Sequence, residues 1–397
     1  MKFKNILLWS LFVTSNFFRM SGIKGTTIYS LSYLIYLYLI IIVFKYINVL
    51  KSRRIPMSSL VLCLVFVPMF SLITHFSEET KDLFYNKGIW FSSLAFLFYF
   101  VFHIKQVNEN TIIKVMLVFG FTLFFIQLIQ QVFPSSAIFG TGSEEGDSVD
   151  VMIKGLEKRN GFYRFRLEAY MITLFCMYYS WTRYLVYKST KRFLVFLCFL
   201  FSMFLFLTRQ LMFASAIGLF STFLFAKVNM SKKIMMFSIS ALLLSVVYLN
   251  ADVIFGDMIE KTQNERTDDN IRMLALDFYW GQIVRSPMAF ILGNGYPSDM
   301  KMWNETFRFF VSDIGIVGQW FLFGVLWVFL YIATLYKVLF KYRNTLPLYI
   351  KLFVFGTSVN SIMIFPYHNS NSYILWAAVL YICDLHIQNS NLRSRIV

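Results

Sequence analysis

Residues 192–227 read RFLVFLCFLFSMFLFLTRQLMFASAIGLFSTFLFAK, and Arg209 is the only charge among the 34 residues between Arg192 and Lys227. A helix needs about 20 apolar residues to cross a hydrocarbon layer of about 30 Å. The stretch therefore reads as two crossings joined by a tight hairpin, Thr208-Arg209-Gln210, held at or slightly below the outer membrane surface. An arginine at that depth costs on the order of 2 kcal/mol or more unless it is paired or faces water.

The rest of the chain repeats this pattern. Apolar residues make up 58% of the 397 residues and charged ones only 15%, which excludes an ordinary soluble globular protein. Twelve apolar runs are readable, at 5–20, 27–47, 58–76, 89–104, 111–133, 167–186, 192–208, 210–227, 233–251, 312–336, 347–366 and 371–387. The first is short, but Asn16-Phe17-Phe18-Arg19 lacks the small residues of a signal cleavage site, so it reads as a membrane helix. The expected fold is an all-α integral membrane protein of about 12 transmembrane helices, with residues 1–397 forming a single polytopic domain.

Charge gives the orientation. The N-terminus, 45–57, 104–114, 183–192, 227–233, 337–351 and the tail after 385 hold 21 Lys or Arg against one acid, Glu109, with a second, Asp384, just before the tail. The alternate connections hold 16 basic and 19 acidic residues. Lys and Arg collect on the cytoplasmic side of membrane proteins, so both termini are expected to be cytoplasmic. A nucleic-acid surface carries no such alternation, and that class of partner is excluded. The four cysteines lie inside apolar runs without metal-ligand spacing, so neither disulfide nor metal chemistry is signalled.

Two external loops are long, 134–166 and 252–311, the latter between spans nine and ten. The first runs from an acidic Gly/Ser-rich block into Lys154, Lys158, Arg159, Arg164 and Arg166, with Phe162, Tyr163 and Phe165 interleaved. In the second, Thr267 is an expected N-cap, and Ile271, Leu274, Ala275, Phe278 and Tyr279 form one apolar helical face. Ser286-Pro287 is expected to end that amphipathic helix and Gly293-Asn294-Gly295 to make a tight turn. The helix is expected to lie across the external surface and roof the bundle.

Arg209 is either a snorkelling cation at a helix end or a guanidinium that grips phosphate or carboxylate at the lipid interface, a task its planar fork suits. Arg164, Arg166 and Arg272 extend the same choice between surface ion pairs and an anion site at headgroup depth. His368, in a short external hairpin, and Glu305 and Asp313, beside the tenth span, are the candidate general bases. No phosphate-binding P-loop, nucleophile elbow or His-Glu-x-x-His motif is present.

Four stretches resemble the O-antigen polymerase and O-antigen ligase families of bacterial envelope polysaccharide synthesis. They are Arg159-Asn160-Gly161-Phe162-Tyr163-Arg164-Phe165-Arg166, Leu207-Thr208-Arg209-Gln210, Arg272 through Trp280 to Pro287 with Gly293-Asn294-Gly295, and Gly315-x-x-Gly318. Where the ligases carry His, then Asn, Ser or Gln, nine residues and Gly-x-x-Gly, this chain has Asn304 and Glu305, which favours the polymerase side.

The resemblance implies a metal-independent glycosyl transfer at the periplasmic face of the bacterial inner membrane, without a cofactor. A growing glycan would pass from polyprenyl diphosphate to a lipid-linked oligosaccharide repeat unit, with a flippase and a chain-length regulator as partners beside the membrane lipids. Arg209 and Arg272 would hold the diphosphate, while Arg159, Arg164 and Arg166, with Asn304 and Asp313, would bind substrate. His368 or Glu305 would deprotonate the acceptor. The competing readings are a flippase or other transporter, an O-antigen ligase, another lipid-linked glycosyltransferase and a non-enzymatic membrane protein. The transporter reading lacks visible repeats and mid-span charges. Residues 19–26 lack the paired acids of many other lipid-linked glycosyltransferases.

Overall fold

A computed structural model describes residues 3–15, 25–53, 55–74, 91–134, 158–159, 162–163, 165, 169–206, 208–226, 230–231, 233–234, 237–238, 271–295, 297, 300–307, 309–362 and 370–396. The described residues are all-α apart from one short hairpin of two-residue strands. The helices are α1 (Phe3–Thr14), α2 (Gly25–Lys45), α3 (Ile47–Lys51), α4 (Ser58–Thr74), α5 (Leu97–Lys105), α6 (Glu109–Val132), α7 (Tyr170–Tyr187), α8 (Thr190–Leu205), α9 (Arg209–Phe220) and α10 (Thr222–Phe225). After the long loop come α11 (Ile271–Val284), α12 (Pro287–Leu292), α13 (Met300–Thr306), α14 (Gly315–Phe323), α15 (Val325–Tyr336), α16 (Leu348–Asn360) and α17 (Ser370–Ile396).

The middle of the bundle is α17. Every residue from Tyr373 to Asp384 is at most 1% exposed, so this helix is buried on all sides. That is the signature of a helix enclosed by other helices. Around it pack α1, α5 and α7. Tyr178 of α7 fits between Gly218 and Gly356, where α9 and α16 come closest to it, and donates a hydrogen bond to the Ala214 carbonyl at 3.2 Å.

Among the described residues, α6 is the one helix long and apolar enough to cross a membrane, with 24 residues and a mean hydropathy of 2.4. Shorter apolar helices fill much of the expected spans, including Phe3–Thr14, Ser58–Ser71, Leu211–Phe225 and Val311–Phe323. Twelve crossings are more than these helices show by length.

The contacts gather the basic connections at one end of the bundle. Lys45 and Lys105 both lie over the Tyr46 ring, Arg53 donates to the His103 carbonyl at 2.6 Å, and Arg183 and Arg192 both stack on Tyr187. Arg343 donates to the Leu224 carbonyl at 2.9 Å, and Lys351 reaches the carbonyls of Phe225 and Arg343. We call this the basic end.

Four local expectations are corrected. The tenth span is two helices, because the apolar run breaks at Gly324, with φ 80°. The carbonyls of Phe321 and Leu322 turn away from the helix ladder and accept the N–H groups of Asn294 and Gly295 at 2.6 and 3.2 Å. Ser286-Pro287 starts a helix as well as following one, since Ser286 Oγ accepts the Ala289 N–H at 3.1 Å with proline at the first helical position. The long loop also does more than roof the bundle: α12 descends against both α14 and α15, and the turn after it plugs the break in span ten. The buried stripe of α11 is Ala275, Tyr279 and Ile283, whereas Ile271 and Leu274 are exposed. The expected cap at Thr267 lies outside the described residues.

Candidate functional site

The end opposite the basic one carries two groups of the expected residues. In the first, Lys158–Arg159 (β1) and Phe162–Tyr163 (β2) form an antiparallel hairpin joined by Asn160-Gly161, a sequence suited to a two-residue turn. Gln131, at the end of α6, fixes it by pairing with the Tyr163 backbone in both directions. Its Oε1 accepts the Tyr163 N–H at 2.9 Å and its Nε2 donates to the Tyr163 carbonyl at 2.5 Å. The Phe162 ring packs on Phe201 and Phe204 of α8. Two residues beyond Phe204, the Phe206 ring meets Tyr170, and Arg209 opens α9. The fold thus brings the main chains of Arg159 and Arg209 to the same end of α8. The side chains of Arg159 and Arg209, and residues Arg164, Arg166 and His368, lie outside the described residues.

The second group surrounds α14. Tyr279 of α11 donates to the Phe309 carbonyl at 2.8 Å, and its ring packs on Phe321 at 4.8 Å. Phe278 packs on Trp303 at 4.9 Å and tethers α13 to α11. This aromatic cluster places Arg272, Asn304 and Asp313 on elements sharing one scaffold. Arg272 and Asp313 are exposed, Asn304 is half-buried with its Oδ1 unpartnered, and the Glu305 side chain lies outside the described residues.

The two groups flank α16, which packs along α9. At its outer end the Ser361 carbonyl accepts the Ile316 N–H at 2.8 Å. Gly315 has φ 56° and abuts Ser361 so closely that any side chain there would collide with backbone. Asn360, one residue earlier, is 3% exposed, and neither its Oδ1 nor its Nδ2 has a partner. A buried amide left in this state costs stability, on the order of 1–3 kcal/mol per group. Sequence reading did not single out Asn360 or Gln131, because each is an ordinary polar residue inside a helix, and it read Tyr279 only as part of an apolar face.

The basic end holds a third assembly, built from the two acids that broke the charge alternation. Asp384 Oδ2 accepts the Tyr99 hydroxyl and faces His103 Nε2 at 3.2 Å, while its Oδ1 accepts the Met57 N–H at 3.1 Å. Glu109 Oε1 accepts the Tyr349 hydroxyl at 2.5 Å, and Oε2 faces His386 Nε2 at 3.1 Å. Each carboxylate therefore holds one tyrosine and one histidine. The pairs are crossed, since the corner between α5 and α6 supplies one histidine and one acid and α17 supplies their partners.

Asp384 is fully buried, whereas Glu109 and His386 are about 30% exposed. Burial, with the Lys341 ammonium adding to it, holds the Lys337 amine below the ordinary lysine value, against the pull of Asp384. A cavity of about 590 Å³ opens beside these pairs, lined by Arg53, His103, Gln106, Glu109, Tyr381 and Gln388 among others. No group of three or more potential metal ligands exists among the described residues.

Compared with known proteins, the chain matches no family model and no curated protein.

Proposed function

We propose that the chain is a polytopic membrane glycosyltransferase of about twelve spans, a polysaccharide polymerase working at the face opposite the basic end. One observation carries the reading. The hairpin of Arg159, the start of α9 at Arg209 and the α11–α14 scaffold bearing Arg272 and Asn304 all lie at the end of the bundle opposite the basic one, where α16 also ends. Separated arginine-bearing segments gathered at one end suit a lipid-linked substrate with its diphosphate at headgroup depth.

In the reaction, an acceptor hydroxyl on a lipid-linked repeat unit attacks the anomeric carbon of the donor glycan. The new C–O bond forms as the bond to the polyprenyl diphosphate breaks, and the diphosphate leaves with the electron pair. Arg209 and Arg272 stabilise that developing charge, which is where preorganised electrostatics contributes most. Arg159, Arg164 and Arg166, with Asn304 and Asp313, hold the second diphosphate and the sugars. His368 or Glu305 takes the acceptor proton. The product is an O-antigen or exopolysaccharide chain, and a flippase and chain-length regulator act beside the enzyme.

The buried pair of His103 and Asp384 gives a specific reason to weigh a second reading, a flippase for the same lipid-linked oligosaccharide. Ionisable groups inside a membrane bundle are a common feature of transport pathways. The surface glycans of a strain lacking this protein discriminate the two. Single repeats on the surface with the ladder gone support the polymerase. Repeats trapped inside support the flippase, and polymer accumulating on its carrier supports a ligase. An unchanged ladder overturns all three.

A further inference from the structure

The cavity at the basic end touches His103 and Glu109 on one wall and Tyr381 and Gln388 of α17 on the other, and Arg53 reaches over it from the connection between α3 and α4. His103 is 5% exposed overall, yet it forms part of this wall. Its Nε2 is committed to Asp384, while Nδ1 has no partner among the described residues. Behind it Asp384 is 0% exposed and holds three donors, from Tyr99, His103 and the Met57 backbone. A buried acid in direct contact with a histidine that lines a polar, open cavity is the arrangement of a proton site with an aqueous approach.

We propose that His103 and Asp384 form a proton-binding site reached through this cavity, so that its occupancy follows the pH of the compartment at the basic end. A proton from hydronium in the cavity adds to Nδ1 of His103: one N–H bond forms, the donor O–H bond breaks, and water is left. The imidazolium then keeps its Nε2–H on the Asp384 carboxylate, and the pair passes from one net negative charge to none.

The surrounding groups favour a site that stays occupied by one acid and one base. From α5 there is the Tyr99 hydroxyl, from α17 the Tyr381 hydroxyl and the Cys383 thiol, and from α6 the Glu109 carboxylate at the cavity wall. The cations that face it are Arg53 and Lys337, the latter near Cys63 of α4. The linkage has a structural consequence, because Asp384 ties the start of α4 and the body of α5 to α17. Changing the charge of the pair changes the grip of α4 and α5 on the buried helix.

The test uses the full-length protein in liposomes, carrying ring-labelled histidine. The chain has four histidines, so single substitutions assign each imidazole resonance. The orientation of the protein is read by Gln388→Cys, which is expected to react with a membrane-impermeant maleimide from one compartment only. Acidifying that compartment is expected to shift the His103 resonance, and acidifying the other is expected to leave it fixed. The resonance is lost in His103→Gln, and its midpoint differs in Asp384→Asn. If His103→Gln does not fold, substituting the other three histidines assigns the signal by elimination. A resonance that follows the opposite compartment, does not titrate, or is unmoved by Asp384→Asn overturns the proposal.

Discussion

Nε2 of His103 stands 3.2 Å from Oδ2 of Asp384, joining two residues 281 positions apart in the chain. The carboxylate also receives the Tyr99 hydroxyl and the Met57 N–H, so α4, α5 and α17 meet on one side chain. Removing a buried acceptor leaves its donors unsatisfied, at a cost of about 1–3 kcal/mol per group. Asp384→Ala, which strands the donors of Tyr99, His103 and Met57, is expected to lower stability by at least about that amount. Asp384→Asn keeps an acceptor and is expected to cost less. Denaturant unfolding of the detergent-purified protein checks the order, and equal stability of Asp384→Ala and wild type would contradict it.

Tyr178 occupies the space that a methyl group on Gly218 or Gly356 would need. Its ring is fully buried, so it has little room to move. Overpacking of this kind costs typically about 1–3 kcal/mol. Gly218→Ala is expected to destabilise within that range, and adding Tyr178→Phe is expected to recover part of the loss by removing the hydroxyl that clashes. A thermal-shift series on the single and double variants reads this directly. No recovery in the double variant would place the constraint elsewhere.

Gln131 acts as a surrogate strand for the hairpin, since its amide both donates to and accepts from the Tyr163 backbone. Each such bond contributes about 0.5–1.5 kcal/mol net. Gln131→Leu removes both while keeping the side-chain bulk. It is expected to leave the bundle folded but to release the hairpin that carries Arg159. The expected readout is a shortened or absent glycan ladder at unchanged protein level, together with faster proteolysis in the segment 158–166.

Gly324 and Gly293 interlock with positive φ values of 80° and 82°, in a region that residues with side chains rarely adopt. A Cβ on Gly324 would collide with the Ile291 backbone. Gly324→Ala is expected to expel the 293–295 turn from the break in span ten. Ser71 Oγ, which donates to the Leu292 carbonyl at 2.9 Å, would lose that anchor. Cysteine placed at Asn294 is expected to react with a water-soluble maleimide faster in the Gly324→Ala background than in the wild type.

The bundle's charge sorting was legible in the sequence because it depends only on which connection a residue occupies. The break between α8 and α9 and the turn at 293–295 were legible for a similar local reason, although the hairpin expected at Thr208-Arg209-Gln210 falls earlier, because Arg209 already opens α9. The break at Gly324 was not, since a glycine inside an apolar run reads as a tolerated helix residue until another backbone claims its neighbours' carbonyls. Glu109 and Asp384 stood out as exceptions to the alternation, but the histidines and tyrosines that hold them all lie between 240 and 285 residues away. Asn360 gave no signal, because burial and the lack of a partner are properties of the fold.

The central claim is that this chain joins lipid-linked repeat units, and purified protein settles it most directly. The purified protein is mixed in lipid with polyprenyl-diphosphate-linked repeat units, and the products are separated by size. A ladder of longer glycans, absent with Arg209→Ala of equal stability, is the expected result. Repeat units that stay single with wild-type protein, or a ladder that Arg209→Ala leaves intact, would contradict the account.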